Sequence, residues 1–202
     1  MEILNLKLKS KNNANVFICS TDIGEFELHS DIIVKYNVKV GEFDEQNFFS
    51  SVQASSEIIA FNIATKYISS KLKTEQQIKD YLYKKEFHKP TVDAVINKLK
   101  EYQIIDDKNY AETYIRSNPN FSKNKLKQKL FSVGVKSNIT DESLIEVDDL
   151  TSAIKNAEKY LRNKLIDKPT IEKLIRRLQS MGYTWDTIKS TLNHLKCETE
   201  QD

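Results

Sequence analysis

Glycine is scarce in this chain, four residues among 202, too few for a glycine-rich loop that cradles phosphate. Cysteine occurs twice, as the isolated thiols Cys19 and Cys197, which argues against a secreted disulfide framework and for a reducing, cytoplasmic setting. The only histidines, His29, His88 and His194, form no His-x-x-x-His pair, and no Cys-x-x-Cys occurs. His194 and Cys197 are spaced like half of a zinc site, but two further ligands are lacking, so neither metal nor cofactor is expected. No apolar run approaches the roughly 18 residues of a membrane span. The N-terminal residues lack the form of a signal peptide. The catalytic inventory is therefore thin, and no catalytic residue is assigned.

Hydrophobic residues make up 39% of the chain and charged residues 30%, a balance that suits a helix-rich protein with a real core. The net charge is only +2, but the charges come in blocks. Residues 121–136 hold five lysines and no acid, and residues 137–154 hold five acids and no base. Residues 155–196 are again basic, and the tail from Cys197 to Asp202 is acidic. Such alternation implies separate basic and acidic patches rather than a uniformly cationic surface.

The strongest pattern is an internal echo at a step of about 48 residues, the mark of a helical array. Leu82, Leu130 and Leu178 fall at that interval. Each is followed four residues later by a helix-stop position (Glu86, Gly134, Gly182) and then by Phe87, Val135 or Tyr183. Glycine just past an apolar helical stripe suits a left-handed helix terminus. Upstream lies a second echo: Tyr67-Ile68, Tyr114-Ile115 and Tyr160-Leu161.

The periodicity predicts a mostly α fold of three tandem three-helix repeats in an elongated curved array, behind a small strand-containing N-terminal segment. The expected divisions are a β-rich extension over 1–45, repeats over 46–106, 107–147 and 148–196, and an acidic tail over 197–202. Three short strands are expected around Ile3–Leu8, Val16–Cys19 and Phe26–Leu28, then a short helix capped by Ser30-Asp31 and running through Tyr36. The helices follow at Phe48–Ser70, from Thr74, from Pro90, Tyr110–Ile115, Lys123–Val133 and Ile139–Val147. The last three are Thr151–Leu161, Ile171–Met181 and Trp185–Leu195. Pro119 and Pro169 are expected in loops ahead of middle helices. Asp106 or Asp107 is expected to cap the helix that begins near Asn109.

Charge placement on these helices nominates candidate contact residues. Ile171, Leu174, Ile175, Leu178 and Met181 form one apolar stripe, and Lys173, Arg176 and Arg177 project from the opposite side as one cationic patch. Lys123 and Lys127 flank the Leu126/Leu130/Val133 stripe on one edge, with Lys125 and Lys129 on the other. A solvated helix face accounts for these lysines as well as a binding role does. The arginine pair better suits carboxylate or phosphate partners. Arg116 either pairs internally with an acid such as Asp106 or meets a partner. The repeat-equivalent tyrosines are expected in the core, and Trp185 against Tyr183 or Leu161. Phe131 falls far from the core stripe, either packing on a neighbouring helix or standing exposed.

The run Tyr102-Gln-Ile-Ile-Asp-Asp-Lys-Asn-Tyr-Ala-Glu-Thr-Tyr-Ile-Arg116 resembles the joint between the first and second repeats of the RecX family. Lys73–Ile78, Leu82, Lys85 and Phe87 are similar to that family's first-repeat pattern, and Leu126, Leu130 and Gly134-Val135 to its second. Gln77, Glu86 and Ser122-Lys123 depart from it. The resemblance spans about residues 57 to 196, with a weaker likeness of the N-terminal segment to the extension of longer members. It implies a monomeric, non-catalytic modulator of the bacterial RecA recombinase that lodges on the RecA filament on single-stranded DNA and limits its extension and activities. Weak direct DNA contact is a further expectation, and Arg116, Lys123, Lys127, Lys173, Arg176 and Arg177 are the partner-facing candidates. A stand-alone nucleic-acid binder is the main rival, since three-helix units can resemble helix-turn-helix modules. A repeat scaffold for an unrelated protein is the third reading.

Overall fold

In the computed structural model, residues 1–10 and 13–199 are described, and the chain divides into two compact units, Met1–Ile105 and Asp106–Asp202. The acidic end from Glu200 and the Cys197 thiol lie outside the described residues, as do Lys11 and Asn12 of the first turn.

The first unit opens with a four-stranded antiparallel sheet in the order β3-β2-β1-β4. Its strands are β1 (Glu2–Ser10), β2 (Asn13–Thr21), β3 (Gly24–His29) and the two-residue β4 (Gly41–Glu42), which the sequence pattern did not signal. In β1, Ile3 pairs with Thr21 and Asn5 with Ser20, so Leu4 is an extra residue. This bulge resets the alternation: Ile3 and Leu6 both reach the core with Cys19, Phe26 and Leu28, while Leu4 is pushed outward. The short helix α1 (Ser30–Lys35) is capped by His29, one residue before the expected Ser30-Asp31, because the buried imidazole accepts from the Asp31 N–H.

One 24-residue helix, α2 (Glu45–Ile68), serves two cores. Phe48 packs in the sheet core, and Ala60 and Ala64 pack in the core of the first three-helix set with α3 (Glu75–Lys84) and α4 (Lys89–Glu101). The second unit holds α5 (Asp107–Ser117), α6 (Lys123–Ser132), α7 (Ser137–Ser143), α8 (Asp149–Leu161), α9 (Lys168–Ser180) and α10 (Trp185–Thr199). These form two further three-helix sets, each around its own apolar cluster.

The helix stops repeat atom for atom. The amides of Phe87, Val135 and Tyr183 donate to the carbonyls of Leu82, Leu130 and Leu178 at 3.2, 3.1 and 3.2 Å. The preceding residues Glu86, Gly134 and Gly182 all have left-handed φ, +65°, +83° and +88°. This is the Schellman turn, and the glutamate adopts it despite its Cβ. The middle helices of the first two sets start on buried hydroxyl caps: Thr74, in a reciprocal capping box with Gln77, and Ser122.

Three local expectations are corrected. In the third set Asp167 caps α9, so Pro169 sits in the first helical turn, where its missing N–H costs nothing, rather than in a loop. Helix α7 ends at Ser143, short of Val147, and Ile145 is exposed. Trp185 is 59% exposed at the start of α10 and does not join the cluster formed by Tyr183 and Leu161.

Candidate partner-binding surface

Helix α9 buries Leu174 and Leu178 and turns Lys173, Arg176 and Arg177 to solvent. Asp167 at its N-terminus accepts from Thr170, whose hydrogen bonds hold the carboxyl below the ordinary range, helped by the Lys173 charge. Arg176 lies 3.6 Å from Glu172 in an exposed pair, an arrangement that contributes little and leaves the guanidinium available. Arg177 lies 5.7 Å from the centre of the Tyr160 ring, over which the Lys164 ammonium also sits at 3.3 Å. The aromatic surface holds Arg177 without neutralising it.

On α6, Leu126 and Leu130 are buried and the lysines diverge in role. Lys127 pairs with Asp141 at 2.5 Å, and that hydrogen bond, with one from Ser137, lowers the Asp141 carboxyl. Lys125 reaches the Ser180 carbonyl at the end of α9, 2.9 Å away, where the helix dipole favours a cation. The Lys123 main-chain N–H donates to Asp149 at 2.7 Å, leaving its side chain half exposed. The start of α6 docks on the end of α9 through the Ser122 N–H to Met181 carbonyl bond, and Lys125 is the α6 lysine that reaches α9, whereas Lys127 turns to Asp141 of α7.

Arg116 ends α5, exposed and without an ion-pair partner among the described residues. Pairing with Asp106 is ruled out by geometry. Asp106 caps the other end of the helix through Lys108 and Asn109, about 15 Å away along the axis. Phe131 is exposed, with the Lys127 ammonium 5.6 Å from its ring centre. The repeat-equivalent tyrosines pack against their clusters, but only Tyr183 is fully buried.

Two polar constellations join residues remote in sequence, and in the first of them the Glu75–Lys79 pair alone has a local, i,i+4 spacing that a sequence reading could have found. Glu75 pairs with Lys79 at 2.7 Å and Lys100 at 2.5 Å. Burial pushes its carboxyl up, but the two lysines together win and bring it below the ordinary value. In the second unit, Tyr183 and Asn156 both donate to the Asn120 carbonyl. Among the described residues, no group of three or more His, Cys, Asp or Glu is placed to hold a metal ion, and no helix is long and apolar enough to cross a membrane.

Successive three-helix sets with matching helix stops and charged outer faces define a helical-repeat protein. Residues 60–99, from the second half of α2 to the end of α4, match the first three-helix domain of RecX. Regulatory protein RecX of Clostridium tetani (strain Massachusetts / E88) is 31% identical over 203 residues, 96% of this chain and 94% of the relative. Regulatory protein RecX of Bacillus subtilis (strain 168) is 25% identical over 99% of this chain and 79% of its own length. A crystal structure of regulatory protein RecX superimposes with a TM-score of 0.65 at 20% identity, covering 95% of this chain and 98% of that one. The crystal structure of RecX from Lactobacillus salivarius gives 0.62 at 26% identity, over 71% of this chain and 99% of that one. The chain belongs to the RecX family of regulatory proteins.

Proposed function

We propose that this protein is a non-catalytic modulator of the RecA recombinase, acting as a cytoplasmic monomer that binds the RecA filament on single-stranded DNA and restrains its extension. Family membership supports the partner. The observation that carries the contact surface is the exposed basic face of α9, where Lys173, Arg176 and Arg177 stand clear of the core. Guanidinium and ammonium groups there suit the carboxylates of a protein partner and, secondarily, DNA phosphates. Lys127 of α6 meets a partner only by releasing Asp141, which makes it a weaker contributor than Lys173 or Arg177. Arg116 and Lys123 complete the candidate set.

The test is RecA ATPase on single-stranded DNA with substoichiometric protein added. A falling rate supports the reading; an unchanged rate removes it. A stand-alone nucleic-acid binder instead predicts tight DNA binding without RecA and a steep loss of affinity with salt.

A further inference from the structure

The first unit contains a long open groove, about 1410 Å³, that none of the basic candidates above enters. One wall is the outer edge of β3, and the other is a face of α2. Along α2, Val52, Ser56, Ile59, Ile63 and Tyr67 line the groove at helical spacing, with Ser51 and Ser55 buried on one flank of that stripe and Ala60 and Ala64 on the other. The lining stripe spans about 23 Å, the length of roughly seven extended residues.

The β3 edge has a defined polarity. Thr21 pairs with Gly24 across a two-residue turn, so Phe26 and Leu28 bond to β2, while Glu25, Glu27 and His29 turn their main-chain groups away from it. His29 confirms this parity, since its N–H donates outward to Ser55 Oγ at 3.1 Å. The corresponding groups of Glu25 and Glu27 find no protein partner among the described residues.

We infer that the groove between β3 and α2 binds an extended peptide segment of a partner protein, which adds a strand to the β3 edge and lays alternate apolar side chains on Val52, Ile59 and Ile63. Main-chain donors and acceptors in a row select another main chain. The charges fit a segment carrying both signs: Glu25 and the Lys9–Glu27 pair stand on the sheet side, Lys66 and Lys85 on the helical side. A nucleic acid is disfavoured on two counts. Acids match bases along the walls, and the aromatic faces are already covered. Tyr67 and Tyr81 stack on each other at 4.0 Å, with the Lys73 and Lys85 ammonium groups over them. This inference is independent of the RecA reading.

The experiment is an amide NMR titration of the full chain with the synthetic peptide Lys-Val-Thr-Val-Glu-Val-Thr and with the same peptide N-methylated at alternate residues. Expected are shifts and slowed exchange at the Glu25 and Glu27 amides, and at least tenfold weaker binding of the methylated peptide. Glu27→Pro removes an outward N–H without breaking a ladder bond, and Ile63→Glu charges the opposite wall; each should abolish the shifts. Silent Glu25 and Glu27 amides at millimolar peptide, equal binding of the methylated form, or preferential perturbation of these amides by oligo-dT would overturn it.

Discussion

The Tyr183 hydroxyl donates to the Asn120 carbonyl, 3.0 Å away and 63 residues earlier in the chain. Asn156 closes the triangle by donating to the same hydroxyl at 3.1 Å. Asn120 precedes α6, Asn156 lies within α8, and Tyr183 follows the stop of α9, so one phenol ties the second three-helix set to the third. Burial pushes this phenol up. Tyr183→Phe keeps the ring and deletes both bonds. The expected loss is about 1–2 kcal/mol, read as a lower urea midpoint with an unchanged slope. An unshifted midpoint would show that water replaces the hydroxyl.

The repeat position shared by Glu86, Gly134 and Gly182 yields a paired prediction of opposite sign. Glu86 holds φ +65° with a Cβ, so Glu86→Gly should relieve strain and raise stability by about 0.5–1 kcal/mol. At Gly182 a Cβ would meet Ser122 Oγ at 2.7 Å and Lys125 Cβ at 2.8 Å. Gly182→Ala therefore adds a clash to the left-handed strain and should cost about 2 kcal/mol or more. Thermal melts of both variants decide it; shifts of the same sign would mean that the shared turn does not govern stability at either site.

These turns also show what the sequence could and could not reveal. Leu82, Leu130 and Leu178 repeat because each must fill the same buried slot, so a one-dimensional period suffices to find it. Surface ion pairs obey no such period. Lys127 and Lys129 flank the same apolar stripe on opposite edges and a helical wheel gives neither of them an acid, yet Lys127 faces one, Asp141 of the next helix. The Leu4 bulge and the β3 edge were illegible for a related reason: strand register depends on pairing between strands, not on the pattern within one. Asp106 was readable as a cap because capping is local.

Thr140 sits where the other sets carry Val92 and Ile188, and its buried Oγ1 has no hydrogen-bond partner among the described residues. Thr140→Val preserves shape and removes the orphaned hydroxyl. Stability should rise by about 1 kcal/mol, seen as a higher melting temperature. A lower melting temperature would mean the hydroxyl is satisfied in solution.

Acid sensitivity of the first unit should centre on Glu75. Its carboxyl is depressed in the folded state, so its contribution is complete above the unfolded value and is lost as pH falls below about 4.5, through the folded pKa. Glu75→Gln removes that slope while costing about 1 kcal/mol at neutral pH. Urea midpoints from pH 7 downward should therefore fall less steeply below pH 5 in the variant than in the parent. Parallel curves would locate the acid response elsewhere.

Charge reversal of the α9 trio tests the proposed contact surface. All three side chains are exposed and none packs in the core, so Lys173→Glu, Arg176→Glu and Arg177→Glu together should leave helical circular dichroism intact. The Arg176 change places like charges beside Glu172 one turn away, a cost of only about 0.3–0.5 kcal/mol. Against an acidic partner surface, three reversals should raise the concentration needed for half-inhibition of RecA ATPase by at least tenfold, and the difference should shrink as salt rises. A control reversing the exposed Lys71, Lys84 and Lys89 of the first unit changes net charge equally and should inhibit as the parent does. If both triple variants lose potency alike, net charge governs binding; if neither does, the contact lies away from α9.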